Sequence, residues 1–249
     1  MMIRAEGVHT YYGPSHILHG IDFTIDRAEA VSLIGRNGAG KTTLMRSLMQ
    51  LTAPKSGSIK NWDGVELTRI KPHDVYRMGI KLVPQGRRVF PKLTVEENLK
   101  LAMIGQKLKD PKTELEKTYE RFQILGERRN QIVRGLSGGQ RQILAIGRAL
   151  LGDTKVLLMD EPTEGLAPLM VKLLHDLILE IKKTGITILL AEQNVKMALS
   201  VCDRHYILEK GEIRFSGSTD DLTCDPDILM QTLGVSTSTY ECANEIIEN

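Results

Sequence analysis

Val31-Ser32-Leu33-Ile34-Gly35-Arg36-Asn37-Gly38-Ala39-Gly40-Lys41-Thr42-Thr43 is the stretch that decides the architecture of this chain. Val31 to Ile34 reads as a buried strand running straight into a glycine loop. Leu44, Leu48 and Leu51 then recur at helical spacing, so a helix is expected from Thr43 to Leu51. Gly35 to Thr42 fits G-x-x-x-x-G-K-[ST], and it stands between a strand and a helix, as a phosphate cradle requires. The glycines let successive amides converge on phosphate oxygens with no Cβ in the way, and the helix N-terminus adds partial positive charge. The phosphate-contacting set expected from this stretch is Gly35, Arg36, Asn37, Gly38, Ala39, Gly40, Lys41, Thr42 and Thr43. Within it, Lys41 reaches the β- and γ-phosphates, and the Thr42 hydroxyl is a Mg²⁺ ligand.

A second word has matching chemistry. Val156-Leu157-Leu158-Met159-Asp160-Glu161 is four apolar residues followed by two acids. A buried strand of this kind delivers Asp160 at its C-terminal end, where ligands of open α/β sheets sit. Asp160 is then the metal-holding carboxylate, and Glu161 the group that polarises or deprotonates an attacking water.

Outward from these words the chain alternates strands and helices. Ile3 to Val8 and Ile17 to Ile25 alternate apolar and polar residues around Tyr12-Gly13-Pro14, the pattern of an N-terminal antiparallel subdomain. Further strands are expected at 80–83, 156–159, 186–190 and 205–208, with a helix at 171–183. From Thr94 to Leu151 the text is helical. Thr94-Val95-Glu96-Glu97 forms a capping box, a helix covers 113–125, and another opens at Ser137. The expected fold is therefore α/β, a P-loop NTPase core with a mostly parallel sheet and an inserted helical subdomain at about 90–150. One unit spans 1–235, followed by a polar tail at 236–249.

Composition narrows the function classes. Of 249 residues, 41% are hydrophobic and 26% charged, enough for a sizeable core. Lys plus Arg (33) against Asp plus Glu (31) leaves +2, which argues against a nucleic-acid coat or a polybasic membrane anchor. Aromatics at 4% argue against a base-stacking surface. Cys202, Cys224 and Cys242 form no C-x-x-C pair, which fits a reducing compartment. No apolar stretch approaches the ~18 residues of a membrane span, and Met1 to Glu6 lacks the order of a signal peptide. The expectation is a soluble cytosolic chain, held at a membrane only by a partner. The six histidines show no ligand spacing and are expected at the surface or half-buried. Arg87-Arg88 and Arg128-Arg129 are expected as solvated faces.

Leu136-Ser137-Gly138-Gly139-Gln140 adds a third word. Ser137 and Gln140 complete a capping box, and two glycines bare the amides, which makes a second anion site on a helix N-terminus. With all three words in this order, residues 3 to 235 resemble the nucleotide-binding subunit of an ATP-binding-cassette (ABC) transporter. The resemblance implies that Ser137, Gly138, Gly139 and Gln140 bind the γ-phosphate of ATP held by a facing subunit, so that two ATPs lie between head-to-tail subunits. It further implies that Tyr12 stacks on adenine, with Tyr11 as the rival. Gln85 touches Mg²⁺ beside Thr42 and Asp160, and links the site to the helical subdomain. ATP and Mg²⁺ are the implied cofactors.

Two departures from the family pattern stand out. Gln193, in Ala191-Glu192-Gln193-Asn194, occupies a position where most relatives have histidine. Its amide still donates to a γ-phosphate but carries no charge, which leaves Glu161 as the acid–base group. In Glu164-Gly165-Leu166-Ala167-Pro168, Ala167 replaces an aspartate that makes a contact across the dimer. These words, with Pro84 to Pro91, are similar to ATPases of importers for branched-chain amino acids. The Glu161-to-Gly165 word also resembles the urea-importer ATPase. A lipid or polysaccharide exporter and a soluble ABC ATPase are alternatives. The implied partners are integral membrane permease subunits, a second ATPase subunit (paralogue or self) and, indirectly, an extracytoplasmic substrate-binding protein, with no nucleic acid. The chain would then sit peripherally on the cytoplasmic side of the inner membrane. The permease is expected to dock at Val89, Phe90, Leu93 and Met103.

Overall fold

The computed structural model describes residues 1–106 and 108–224. The polar tail and the last residues of the expected 1–235 unit lie outside the described residues. Two sheets form. β1 (Ile3–Tyr12), β2 (Ser15–Ile25) and β4 (Ser56–Asn61) make a small antiparallel sheet in the order β2-β1-β4. The larger sheet has the order β5-β6-β7-β3-β8-β9. In it β5 (Ile80–Val83), β6 (Val156–Asp160), β7 (Thr187–Glu192), β3 (Ala30–Ile34) and β8 (Arg204–Glu209) run parallel, and β9 (Glu212–Ser218) closes the edge antiparallel to β8. Every residue of β3, β6 and β7 is buried, which is why these strands lack polar alternation.

Both faces of the large sheet are covered. On one side Leu18, Ile21 and Phe23 of β2 pack with Leu33, Leu158 and Leu189, and with Leu44 of α1 (Lys41–Leu48). On the other, Leu157 and Leu190 meet Leu99 of α3 (Val95–Met103), Leu144 of α6 (Gly138–Leu150) and Ile178 of α7 (Pro168–Lys183). The chain between β5 and β6 contains α3, α4 (Pro111–Arg121), α5 (Gln123–Glu127) and α6, with no strand among the described residues. The capping box of α3 forms as read: the Thr94 hydroxyl accepts from the Glu97 amide at 3.2 Å, and the Glu97 carboxylate accepts from the Thr94 amide at 2.7 Å.

The helix expected over 113–125 is two helices. Phe122 breaks it with φ −122 and ψ 73. Its buried ring and Leu125 lie against Gly147 of α6, so tertiary packing overrides helical continuity there. Sequence reading also missed β4, β9, α2 (Pro72–Arg77) and α8 (Val195–Val201). Ser-Gly-Ser-Ile-Lys-Asn has little intrinsic strand preference, and β4 exists because β1 offers it an edge.

One histidine departs from its expected place. His205, in β8, is fully buried, with Nδ1 2.7 Å from the Ser32 hydroxyl and Nε2 2.8 Å from the Thr219 hydroxyl. Burial pushes its imidazole down to about 4, against a smaller upward pull from Asp203. The unfolded chain therefore takes up a proton near pH 6.5 that the native chain refuses until about pH 4. This contribution is fully present above pH 6.5 and is lost as pH falls through that window, by up to about 3 kcal/mol at 1.36 kcal/mol per unit. Urea midpoints at pH 7 and pH 4.5 check it. His205→Gln should show a smaller acid-induced drop than the parent chain.

Candidate functional site

Parallel strands place their C-terminal ends on one edge of the sheet. There β3 delivers the glycine loop, β5 delivers Gln85, β6 delivers Asp160 and Glu161, and β7 delivers Glu192 and Gln193. β7 lies between β3 and β6, so the loop faces the acids across one strand.

The loop's glycines answer to space and backbone. A Cβ at Gly35 would stand 2.5 Å from the Leu208 carbonyl, and Gly40, just before α1, has φ 114. Arg36, Asn37 and Gly38 are exposed, while Ala39 and Thr43 are buried, Ala39 in the core between the sheets. Lys41 is only 3% exposed. Its Nζ donates to the carbonyls of Gly35 at 2.6 Å and Arg36 at 3.2 Å, and lies 2.9 Å from a Glu161 carboxylate oxygen. The lysine therefore crosses from its own loop to the acid strand.

The acids sit in different surroundings. Asp160 is buried and accepts from the Thr42 hydroxyl at 3.2 Å. Burial holds its carboxyl above the ordinary range despite the Thr42 hydrogen bond, and the charge of Glu161 adds to the rise. Glu161 has φ +47, a left-handed conformation that costs a non-glycine residue about 1–2 kcal/mol. Its amide donates to the Ala191 carbonyl at 2.9 Å. The Gln85 amide donates to Glu161 at 3.2 Å and to Glu164 at 3.0 Å. Lys41, Gln85 and Glu161 thus form one network, with the Thr42–Asp160 pair beside it.

Glu192 was missed as a site residue. It is buried and accepts from the Thr163 amide at 3.1 Å and hydroxyl at 2.7 Å, which fastens the turn after Glu161 to the end of β7. Burial raises its carboxyl, and the Thr163 bonds oppose the rise. The available signal was a second buried strand that ends in an acid. Gln193 is exposed beside it, on a cavity of about 310 Å³ shared with Glu161 and Glu164.

Ser137 caps α6 as expected. Its hydroxyl accepts from the Gln140 amide at 3.2 Å, and the Gln140 side chain accepts from the Ser137 amide at 2.9 Å. The following glycines also have packing reasons that sequence reading did not include. A Cβ at Gly138 would lie 2.8 Å from Arg87 Nη1, and one at Gly139 would overlap the Met170 side chain. Arg87 is not a solvated face, since Nη2 donates to the carbonyls of Glu164 at 2.7 Å and Gly165 at 3.0 Å. Between the two tyrosines, Tyr11 is stacked on His16 with centroids 4.1 Å apart, whereas Tyr12 is 43% exposed. Among the described residues, no cluster of three or more His, Cys, Asp or Glu is set to hold a metal.

A glycine loop behind a central parallel strand, facing a strand that ends in two acids, defines a P-loop nucleotide hydrolase. A family model described as ABC transporter matches residues 18–164. The high-affinity branched-chain amino acid transport ATP-binding protein BraG of Pseudomonas aeruginosa is 40% identical over 233 residues, 94% of this chain and 100% of BraG. The probable branched-chain amino acid transport ATP-binding protein LivF of Archaeoglobus fulgidus is 36% identical, over 89% of this chain and 94% of its own. A solved ATP-binding subunit of an ABC transporter superposes with a TM-score of 0.79 at 28% identity, covering 98% of this chain and 100% of that one. The chain belongs to the ABC transporter family, and it is an ATP-hydrolysing enzyme of that family.

Proposed function

We propose that this chain is the ATP-binding and hydrolysing subunit of an ABC importer for branched-chain amino acids. The observation that carries the catalytic part is the bridge from Lys41 to Glu161, with Thr42 on Asp160 beside it. The substrate class is supported by the names of BraG and LivF. A urea or amide importer is the second reading, favoured by the Glu161-to-Gly165 word.

The residues fit a divalent metal with phosphate. Asp160 is a carboxylate held out of water and next to a hydroxyl, and Mg²⁺ characteristically takes one or two carboxylates plus phosphate oxygens. Thr42, Asp160 and Gln85 would hold it, and the ion would offset the charge that develops on the phosphate oxygens. The exposed residues 36–38 of the glycine loop receive the polyphosphate, and Tyr12, itself exposed, offers its ring for the base. Lys41 exchanges its Glu161 contact for phosphate oxygens, which releases the Glu161 carboxylate to accept a proton from water. Gln193 supplies a neutral donor from the β7 side. Ser137 to Gln140 present a helix N-terminus to ATP on a facing subunit.

No helix among the described residues is long and apolar enough to cross a membrane. In this reading a permease provides the membrane path, with this chain peripheral on its cytoplasmic side. The four expected docking residues differ in exposure. Val89 and Met103 pack on the core, and only Phe90 of the four is exposed, at 47%. A neighbouring groove of about 360 Å³ is lined by Tyr76, Leu82, Arg88, Leu101, Ile104 and Arg148. Leu101 is 37% and Ile104 72% exposed, so charging both leaves the core intact. Leu101→Asp with Ile104→Asp should cut recovery of membrane subunits in a membrane-fraction pull-down about tenfold, with ATP affinity unchanged. Undiminished recovery would count against docking here. Identification of the recovered subunits tests the importer reading.

A further inference from the structure

Arg87 joins three segments that the nucleotide chemistry uses separately. It lies two residues beyond Gln85, in the loop after β5, with φ +54, a left-handed backbone that an arginine adopts only at a cost. Nη2 spans two consecutive carbonyls, Glu164 at 2.7 Å and Gly165 at 3.0 Å, in the turn that begins at Glu161. Nη1 lies against Gly138, the first residue of α6. Gly165 is on the guanidinium as well, since a Cβ there would stand 3.5 Å from Nη2. The planar group is thus wedged between two glycines, one at the start of α6 and one in the turn behind the acids.

We propose that Arg87 is a positioning residue for ATP hydrolysis, which fixes the start of α6 and the Glu164–Gly165 turn in one register so that Glu161 and Glu164 hold their places when α6 engages nucleotide. The proposal rests on the site reading above. Glu164 is tied from both ends, its carbonyl by Arg87 and its carboxylate by Gln85, and Gln85 also holds Glu161. A shift of α6 therefore reaches the acid strand through one guanidinium and one amide. Lysine replaces this only in part, because its single ammonium can meet the carbonyls that Nη2 meets but puts no second nitrogen against Gly138. Gly138 leaves room for this arrangement, as a Cβ there would stand 2.8 Å from Nη1 and shift the guanidinium.

The test compares Arg87→Ala and Arg87→Lys with the parent, in the full chain assembled with its membrane subunits. Steady-state ATPase kinetics and equilibrium ATP binding are measured for each. A positioning role predicts kcat down about tenfold in Arg87→Ala, KM and ATP affinity within about twofold, and only partial return in Arg87→Lys. Unchanged kcat in Arg87→Ala, or loss of ATP affinity in both Arg87 variants, would overturn it. Failure of the site reading is separate: it shows as an assembled parent complex that does not hydrolyse ATP.

Discussion

Glu161→Gln should abolish ATP turnover and leave ATP bound. Glu161 ends the acid strand, its carboxylate meets Lys41 at 2.9 Å and the Gln85 amide at 3.2 Å, and its backbone is turned left-handed to aim it there. Glutamine keeps the shape and an acceptor oxygen but takes no proton from water. A general base contributes about 10²–10⁴ in rate, so kcat should fall by at least two orders of magnitude. Lys41 keeps its two loop carbonyls and loses its anionic neighbour, so the attraction of the loop for phosphate is undiminished. Parallel ATPase assays and equilibrium ATP titrations check both halves. Near-parental turnover would refute the base assignment.

Lys41→Ala acts on stability as well as on binding. Lys41 and Glu161 are 3% and 8% exposed at their side chains, so the pair is shielded from solvent. Removing the ammonium leaves Glu161 with Gln85 alone, and breaking a buried pair from one side costs about 3–5 kcal/mol. The unfolding free energy without nucleotide should fall by about 3 kcal/mol, and Lys41→Ala/Glu161→Gln should regain most of it, because no charge is then stranded. Glu161→Gln alone should cost less, since the lysine retains the Gly35 and Arg36 carbonyls. ATP affinity should fall about tenfold or more in Lys41→Ala, the value of a charge-assisted hydrogen bond. Urea titrations of the four chains and nucleotide titrations measure these differences. Equal stability of the parent and Lys41→Ala would show that the ion pair carries no weight.

The architecture is legible in the sequence where chemistry and burial act through neighbours in the chain. Val31 to Thr43 contains strand, loop and helix start in one stretch, and Val156 to Glu161 contains a buried strand and its acids. The Thr94 and Ser137 capping boxes close within four residues, so local composition settles them. Short elements that depend on an edge, such as β4 and β9, and the break at Phe122 were not legible, because their partners are distant in sequence.

At the site, residue types at fixed spacing determined the candidates: the glycine loop with Lys41 and Thr42, the acids 160 and 161 and the Ser137 cap, with Gln85 implied by the family resemblance. Tertiary structure alone decided how they meet. It set Lys41 on Glu161, fastened Glu192 to Thr163, buried His205 between two hydroxyls, and turned Arg87 from an expected surface cation into a brace between Gly138 and the Glu164–Gly165 turn. Spacing along the chain encodes which groups are available. Which of them share a proton, a charge or a space depends on parallel strands ending at one edge, and that is a property of the folded sheet.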